Sequence, residues 1–222
     1  MIARNLAIVA AVVAAAGAAS ASSGIIMSRG GLVTSVARGT GVYIRPAHPD
    51  GATVVFSNIG TKYPLGLYFC CSGATVSGPE SVLGSQSWPA MRFTASADAT
   101  VTEIDAAVEW VTGTNEIDLD LYADSGGVPG TLLKAFRVTG LESDGGCCSF
   151  AVGRDKHGIA VTGGTPYWVA VTTDANGTDT FASWEFNSTD QLDAIPSAVN
   201  KGAGWVTNGG AVPAASFAVY GN

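Results

Sequence analysis

Between Val101 and Val138 the chain carries a series of carboxylates: Asp105 and Glu109, then Glu116, Asp118 and Asp120. Their even spacing puts them on one side of an extended backbone, because successive side chains of a strand point to opposite faces. Like charges held side by side are unfavourable unless a cation sits among them, and oxygen-only ligands suit calcium. Asp118, Asp120, Asp105 and Glu109 are therefore the candidate calcium ligands. A solvated acidic face is the competing reading, since no D-x-D-x-D-G loop is present. The same groups resemble the acid and base of a glycoside hydrolase, but that chemistry needs carboxyls about 5–9.5 Å apart across a cleft. The flat face of a sheet is a poor start for one.

The second chemistry-bearing set is aromatic: Trp88, Trp110, Trp168, Trp184 and Trp205. Indole faces stack on pyranose rings while neighbouring Asn and Asp side chains bond to sugar hydroxyls, so exposed tryptophans point to carbohydrate. Trp205, in the Gly-rich stretch Gly202 to Asn208, is the best exposed candidate, with Asn208 beside it and Trp88, next to Pro89, second. Trp110 shares the side of Ile104 and Val108 and is expected in the core. His157 lies near Asp155, but a Ser-His-Asp triad is a matter of geometry and no G-x-S-x-G elbow occurs. His48 stands alone between prolines. No catalytic residue is assigned.

These groups must be held by strands. Ile104, Ala106, Val108 and Trp110 alternate with Asp105, Ala107 and Glu109; after Thr112 to Asn115, Ile117, Leu119, Leu121 and Ala123 alternate again. Two period-two runs joined by a short polar loop predict a hairpin. Asp124 to Gly130 then predicts a tight connection, with Pro129-Gly130 at the centre of a type II turn. Tyr167 to Val171 is apolar on both faces and is expected to be central in a sheet. Roughly nine to eleven short strands spaced by turns, with no βαβ alternation, predict an all-β chain: an antiparallel two-sheet β-sandwich, jelly-roll-like.

At 222 residues the chain is long enough for one sizeable core. A formal charge of −7 without a basic cluster excludes a nucleic-acid role. The N-terminus has Arg4, an apolar run from Leu6 to Ala16 and an Ala19-Ser20-Ala21 cleavage pattern, so residues 1–21 read as a secretory signal peptide. That run is short for a span, so no membrane span is expected in the mature chain. Residues 22–51 read as a Gly/Ser-rich lead-in and 52–222 as the sandwich domain.

Export implies an oxidising setting, and Cys70-Cys71 and Cys147-Cys148 are expected to form disulfides. Bonding between neighbours requires a strained ring, so bridges joining the two pairs are preferred, each worth about 2–4 kcal/mol. Adjacent cysteines lack the intervening residues of the usual zinc knuckle.

The order VVFSN, Met91-Arg92-Phe93-Thr94, VTEIDAAV, LDLYADSGGVPGTLL, GGTPYWVAV, a late Trp and FAVYG resembles the choice-of-anchor R type of domain in bacterial exported proteins. The similarity covers about Ala52 to Asn222, and its most specific pieces are Leu121 to Gly130 and Gly164 to Val171. The resemblance implies an extracellular protein and supplies no catalytic residues. Such proteins often carry a C-terminal sorting signal; Tyr220-Gly221-Asn222 has no apolar tail or basic end, so free secretion is the expectation. The expected role is a secreted, non-catalytic binding module for an extracellular polysaccharide or surface protein. A self-associating matrix or appendage protein is the alternative, and a secreted hydrolase the third.

Overall fold

The computed structural model describes residues 51–60, 66–145, 149–188, 195–209 and 213–222, apart from the side chains of Cys70 and Cys71. The expected signal segment, nearly all of the lead-in, His48 and the expected disulfides lie outside the described residues. Among the described residues thirteen strands run in chain order: β1 (Thr53–Ser57), β2 (Tyr68–Ser77), β3 (Trp88–Thr94), β4 (Ala99–Ala106), β5 (Val108–Thr112), β6 (Glu116–Asp124) and β7 (Pro129–Thr139). There follow β8 (Ala151–Val161), β9 (Pro166–Thr172), β10 (Phe181–Asn187), β11 (Ser197–Asn200), β12 (Trp205–Thr207) and β13 (Phe217–Gly221). Among the described residues there is no helix, and so none long and apolar enough to cross a membrane.

The strands form three antiparallel sheets, ordered β1-β13-β4-β8, β2-β10-β5 and β12-β11-β3-β9-β6-β7. The chain passes repeatedly between the first and the third, and β1 and β13, the first and last strands of the described residues, lie side by side. With β1, β3, β4, β6, β7, β8, β9 and β13 taken alone, this is the jelly-roll order. The pair β11-β12 widens one layer. The other is extended through a bend at Ala107, where β4 passes into β5. There the Ala107 N–H donates to Ser216 O (3.0 Å), the Ser216 N–H to Glu185 O (2.8 Å) and the Glu185 N–H to Ala107 O (2.8 Å). Those three bonds join the two smaller sheets edge to edge.

One core serves all three sheets. Met91, Phe93, Ile104, Leu119, Val169, Trp184 and Phe217 belong to a single buried cluster, drawn from six different strands. Phe217 is its hub: the ring lies 4.9 Å from Phe56, 5.8 Å from Trp184 and 6.1 Å from Phe93. β9 is central, flanked by β3 and β6 and buried on both faces, as its continuous apolar run predicts.

Three local expectations differ from the structure. β5 and β6 do not form a hairpin; β5 pairs with β10, while β6 pairs with β7 and β9. The loop between them crosses from one layer to the other. Gly113 makes this passage with φ +82, so close to Asp179 that a Cβ would lie 2.1 Å from its carbonyl oxygen. Alternation reports which faces are buried and says nothing of which strand is the neighbour. The β6-β7 connection is tight as expected, but its centre is Gly126-Gly127, at φ 64 and 92. With the Ser125 N–H bonded to Val128 O at 2.9 Å, this is a type I′ turn, whose twist matches the flanking strands. Pro129 and Gly130 instead begin β7. Finally, Asp105 and Glu109 are not on a solvated face: both are buried, Glu109 completely.

Candidate functional site

The outward face of the six-stranded sheet carries most of the chemistry. Register places Asn200 opposite Trp205 on one side and opposite Trp88 on the other. Directly paired residues share a face, so the two indoles flank Asn200, about 10 Å apart at two strand spacings. The next rung runs Thr207, Ala198, Ala90, Ala170, Asp120. Its three alanines are fully buried and make a low floor between taller side chains. A third rung aligns Arg92, Trp168 and Tyr122.

Hydrogen bonds fix these side chains. Asn200 Oδ1 accepts from the N–H groups of Gly202 (2.9 Å) and Gly204 (3.2 Å), which shapes the turn that returns β12 to the sheet. Both glycines have positive φ, so the Gly-rich sequence is needed to bring Trp205 back opposite Asn200. Trp205 then meets Tyr122 edge to face, with centroids 5.6 Å apart. Trp88 Nε1 donates to Thr173 Oγ1 (3.2 Å). Trp168 Nε1 donates to Asp124 Oδ1 (2.8 Å), and the same oxygen lies 3.0 Å from Arg92 Nε.

Asp120 is a buried carboxylate of the same face. Its Oδ2 accepts from Thr172 (2.8 Å) and Tyr122 (3.2 Å), whereas Oδ1 is shut from solvent without a hydrogen bond. Burial, helped by the charge of Asp118 and opposed by those two hydroxyls, pushes its carboxyl up to about 6. Burial and the adjacent Asp120 charge also raise Tyr122, which stays a hydrogen-bond donor at neutral pH.

No family model, curated protein or solved structure matches this chain. Its chemistry is therefore read from its own residues.

Trp205 and Trp88 come together on one face, as two half-buried indoles. Asn208 does not join them; its Nδ2 donates to Ser197 Oγ at 3.2 Å. The residue that stands between the indoles is Asn200, and the signal for it was an Asn immediately before a Gly-rich turn. Trp110 is half-buried against the core, with Nε1 donating to Gly113 O (3.1 Å).

The four expected calcium ligands are distributed over three sheets. Asp118 and Asp120 share the outward face of β6, but Asp118 lies 4.0 Å from Arg137 Nε. Burial raises its carboxyl, and Arg137 opposes that rise. Asp105 is on β4, next along the chain from Ile104 and opposite Val152 of β8. Glu109 is on β5, where Oε1 accepts from Tyr68 OH and Oε2 from the Gly145 N–H, both at 2.8 Å. Among the described residues no cluster of metal-binding geometry contains more than one of the four. Asn187, which opens the glycosylation sequence Asn187-Ser188-Thr189, is buried, its Nδ2 donating to Ala214 O at 2.7 Å.

Proposed function

We propose that this chain is a secreted, non-catalytic binding module whose outward aromatic face recognises an extracellular polysaccharide. The observation that carries the reading is the row Trp205, Asn200, Trp88, with a carboxamide between two indoles on one sheet face. Such a row offers two stacking platforms with a hydrogen-bonding group between them, a pattern that fits consecutive rings of an extended glycan. The alanine floor lets Tyr122 and Trp205 pack down onto the sheet, which holds the Trp205 indole in place. Secretion is supported by the N-terminal apolar run and by the resemblance to exported bacterial domains.

The test is a glycan array probed with the purified chain, followed by titration of the best hit against Trp88→Ala and Trp205→Ala. Each variant is expected to weaken binding roughly tenfold or more, in line with about 1–3 kcal/mol for an aromatic stacking contact. Trp205→Ala also removes the Tyr122 contact, so its thermal midpoint is measured alongside. Binding unchanged in both folded variants refutes the reading. Concentration-dependent multimers without any glycan binding favour the self-associating matrix protein instead.

A further inference from the structure

A second cluster lies in the other layer. Glu109 of β5, Glu185 of β10 and Asp144 each place a carboxylate oxygen within 4.8 Å of the others'. Strand register brings the first two together, since Glu109 opposes Ser183 on β10, two residues before Glu185. Asp144 arrives differently. Its loop runs beside β5, bonded from the Trp110 N–H to Glu142 O (2.7 Å) and from the Asp144 N–H to Trp110 O (2.8 Å). Glu109 and Glu185 are completely buried, whereas Asp144 is exposed.

The cluster holds more negative charge than its protein partners satisfy. Glu109 uses both oxygens, on Tyr68 and Gly145. Glu185 accepts from the Ser72 N–H through Oε2 at 2.6 Å and is also steadied by the Ser183 hydroxyl, while Oε1 is buried without a hydrogen bond of good geometry. A solvent-excluded carboxylate oxygen without a donor costs free energy unless something cationic meets it. The charges acting on Glu109 come from Asp144 and Glu142, and those on Glu185 from Glu109 and Asp144, all of the same sign. Burial is the larger cause in both, and it holds both carboxyls above their ordinary range.

We propose that Glu109, Asp144 and Glu185 form a divalent-cation site of the calcium class, which pins the loop at 141–145 to β5. The donors are all oxygens, as a hard cation requires, and the exposed Asp144 leaves one side open to the water molecules that complete a calcium shell. Three carboxylates from a strand, its neighbour and a loop clamp elements that backbone bonds alone join loosely. This site shares only Glu109 with the ligands expected from sequence. It is also remote in topology from the aromatic face, so it stands whether or not that face binds sugar.

The test uses the full chain, stripped with a chelator and titrated with calcium chloride at pH 7. Thermal unfolding is followed together with terbium luminescence excited through tryptophan, Trp110 and Trp184 being chain neighbours of two ligands. Extracellular calcium modules bind at about 0.1–1 mM, so calcium at ten times that level is expected to raise the midpoint by roughly 3–5 °C. Magnesium, which demands near-octahedral geometry, is expected to do less. Asp144→Asn, on an exposed loop, is expected to fold, to lose at least about tenfold in calcium affinity, and to melt no lower than the stripped parent, because a like charge is gone. Glu185→Gln is expected to abolish terbium luminescence. Absence of any calcium effect on the parent overturns the proposal, as does an equal calcium shift in parent and Asp144→Asn, which would put the ion elsewhere.

Discussion

Replacing Asp120 with Asn tests the energetics of the aromatic face most directly. Burial raises this carboxyl from 3.8 to about 6. In that window the folded chain holds a proton that the unfolded chain releases, so stability falls as pH rises from about 4 to about 6. Below the window both states are protonated and the cost is absent; above it the buried anion carries the full cost. A rise of this size corresponds to roughly 3 kcal/mol at pH 7. Asn keeps the shape and can still accept from Thr172 and Tyr122, but its NH2 takes the place of the unpartnered Oδ1, which costs about 1–3 kcal/mol at every pH. The net gain at pH 7 is therefore small. The pH dependence of the difference is the readout, because the amide's cost cancels from it. Urea unfolding of parent and Asp120→Asn at pH 4, 5, 6 and 7 should show the variant gaining roughly 2–2.5 kcal/mol relative to the parent across the series. A difference that stays constant from pH 4 to pH 7 refutes the assignment of a buried, proton-hungry carboxyl to this face.

Two further substitutions probe what positions the sites. Gly113→Ala should cost roughly 2–3 kcal/mol in urea unfolding, since it combines positive φ with a Cβ driven into the Asp179 carbonyl; a loss under about 0.5 kcal/mol would mean that the layer crossing is less constrained than its geometry requires. Asn200→Ala removes the acceptor for the Gly202 and Gly204 amides and should cost about 1–2 kcal/mol. Because that turn returns Trp205 to the sheet, the same variant should shift the tryptophan emission to the red, and an unchanged spectrum would show that Trp205 is held by Tyr122 alone.

Much of the fold was legible because burial leaves a periodic trace. Tyr167 to Val171 reads as a two-faced buried strand and is one, and the alternation at Ile117, Leu119 and Leu121 names the core side of β6 correctly. Pairing was less legible. The Val101 to Asp124 region looks like a hairpin because two strands follow each other closely, yet a jelly roll sends consecutive strands to opposite layers. What decides between these is the packing of distant segments such as β9 and β10, which leaves no local mark. The carboxylates mislead for a related reason. Asp105 and Glu109 occupy the polar half of an alternating pattern, which normally means water, but here both are buried, Glu109 against Tyr68 and the loop carrying Gly145. Of the aromatic face, Trp88 and Trp205 were legible as glycine- or proline-flanked indoles. Asn200 and Tyr122 were not, because only cross-strand register brings them beside those rings.

The side-by-side placement of β1 and β13 has a mechanical consequence. Thr53 sits opposite Gly221 and Ser57 opposite Ala218, so the entrance of the first strand and the exit of the last leave from the same end of the sheet. Tension transmitted through the segments flanking them would load this pair's rungs one after another, like a zipper, instead of shearing them all at once. A tethered copy would therefore yield by peeling at that seam, at low force, while the six-stranded layer kept its shape.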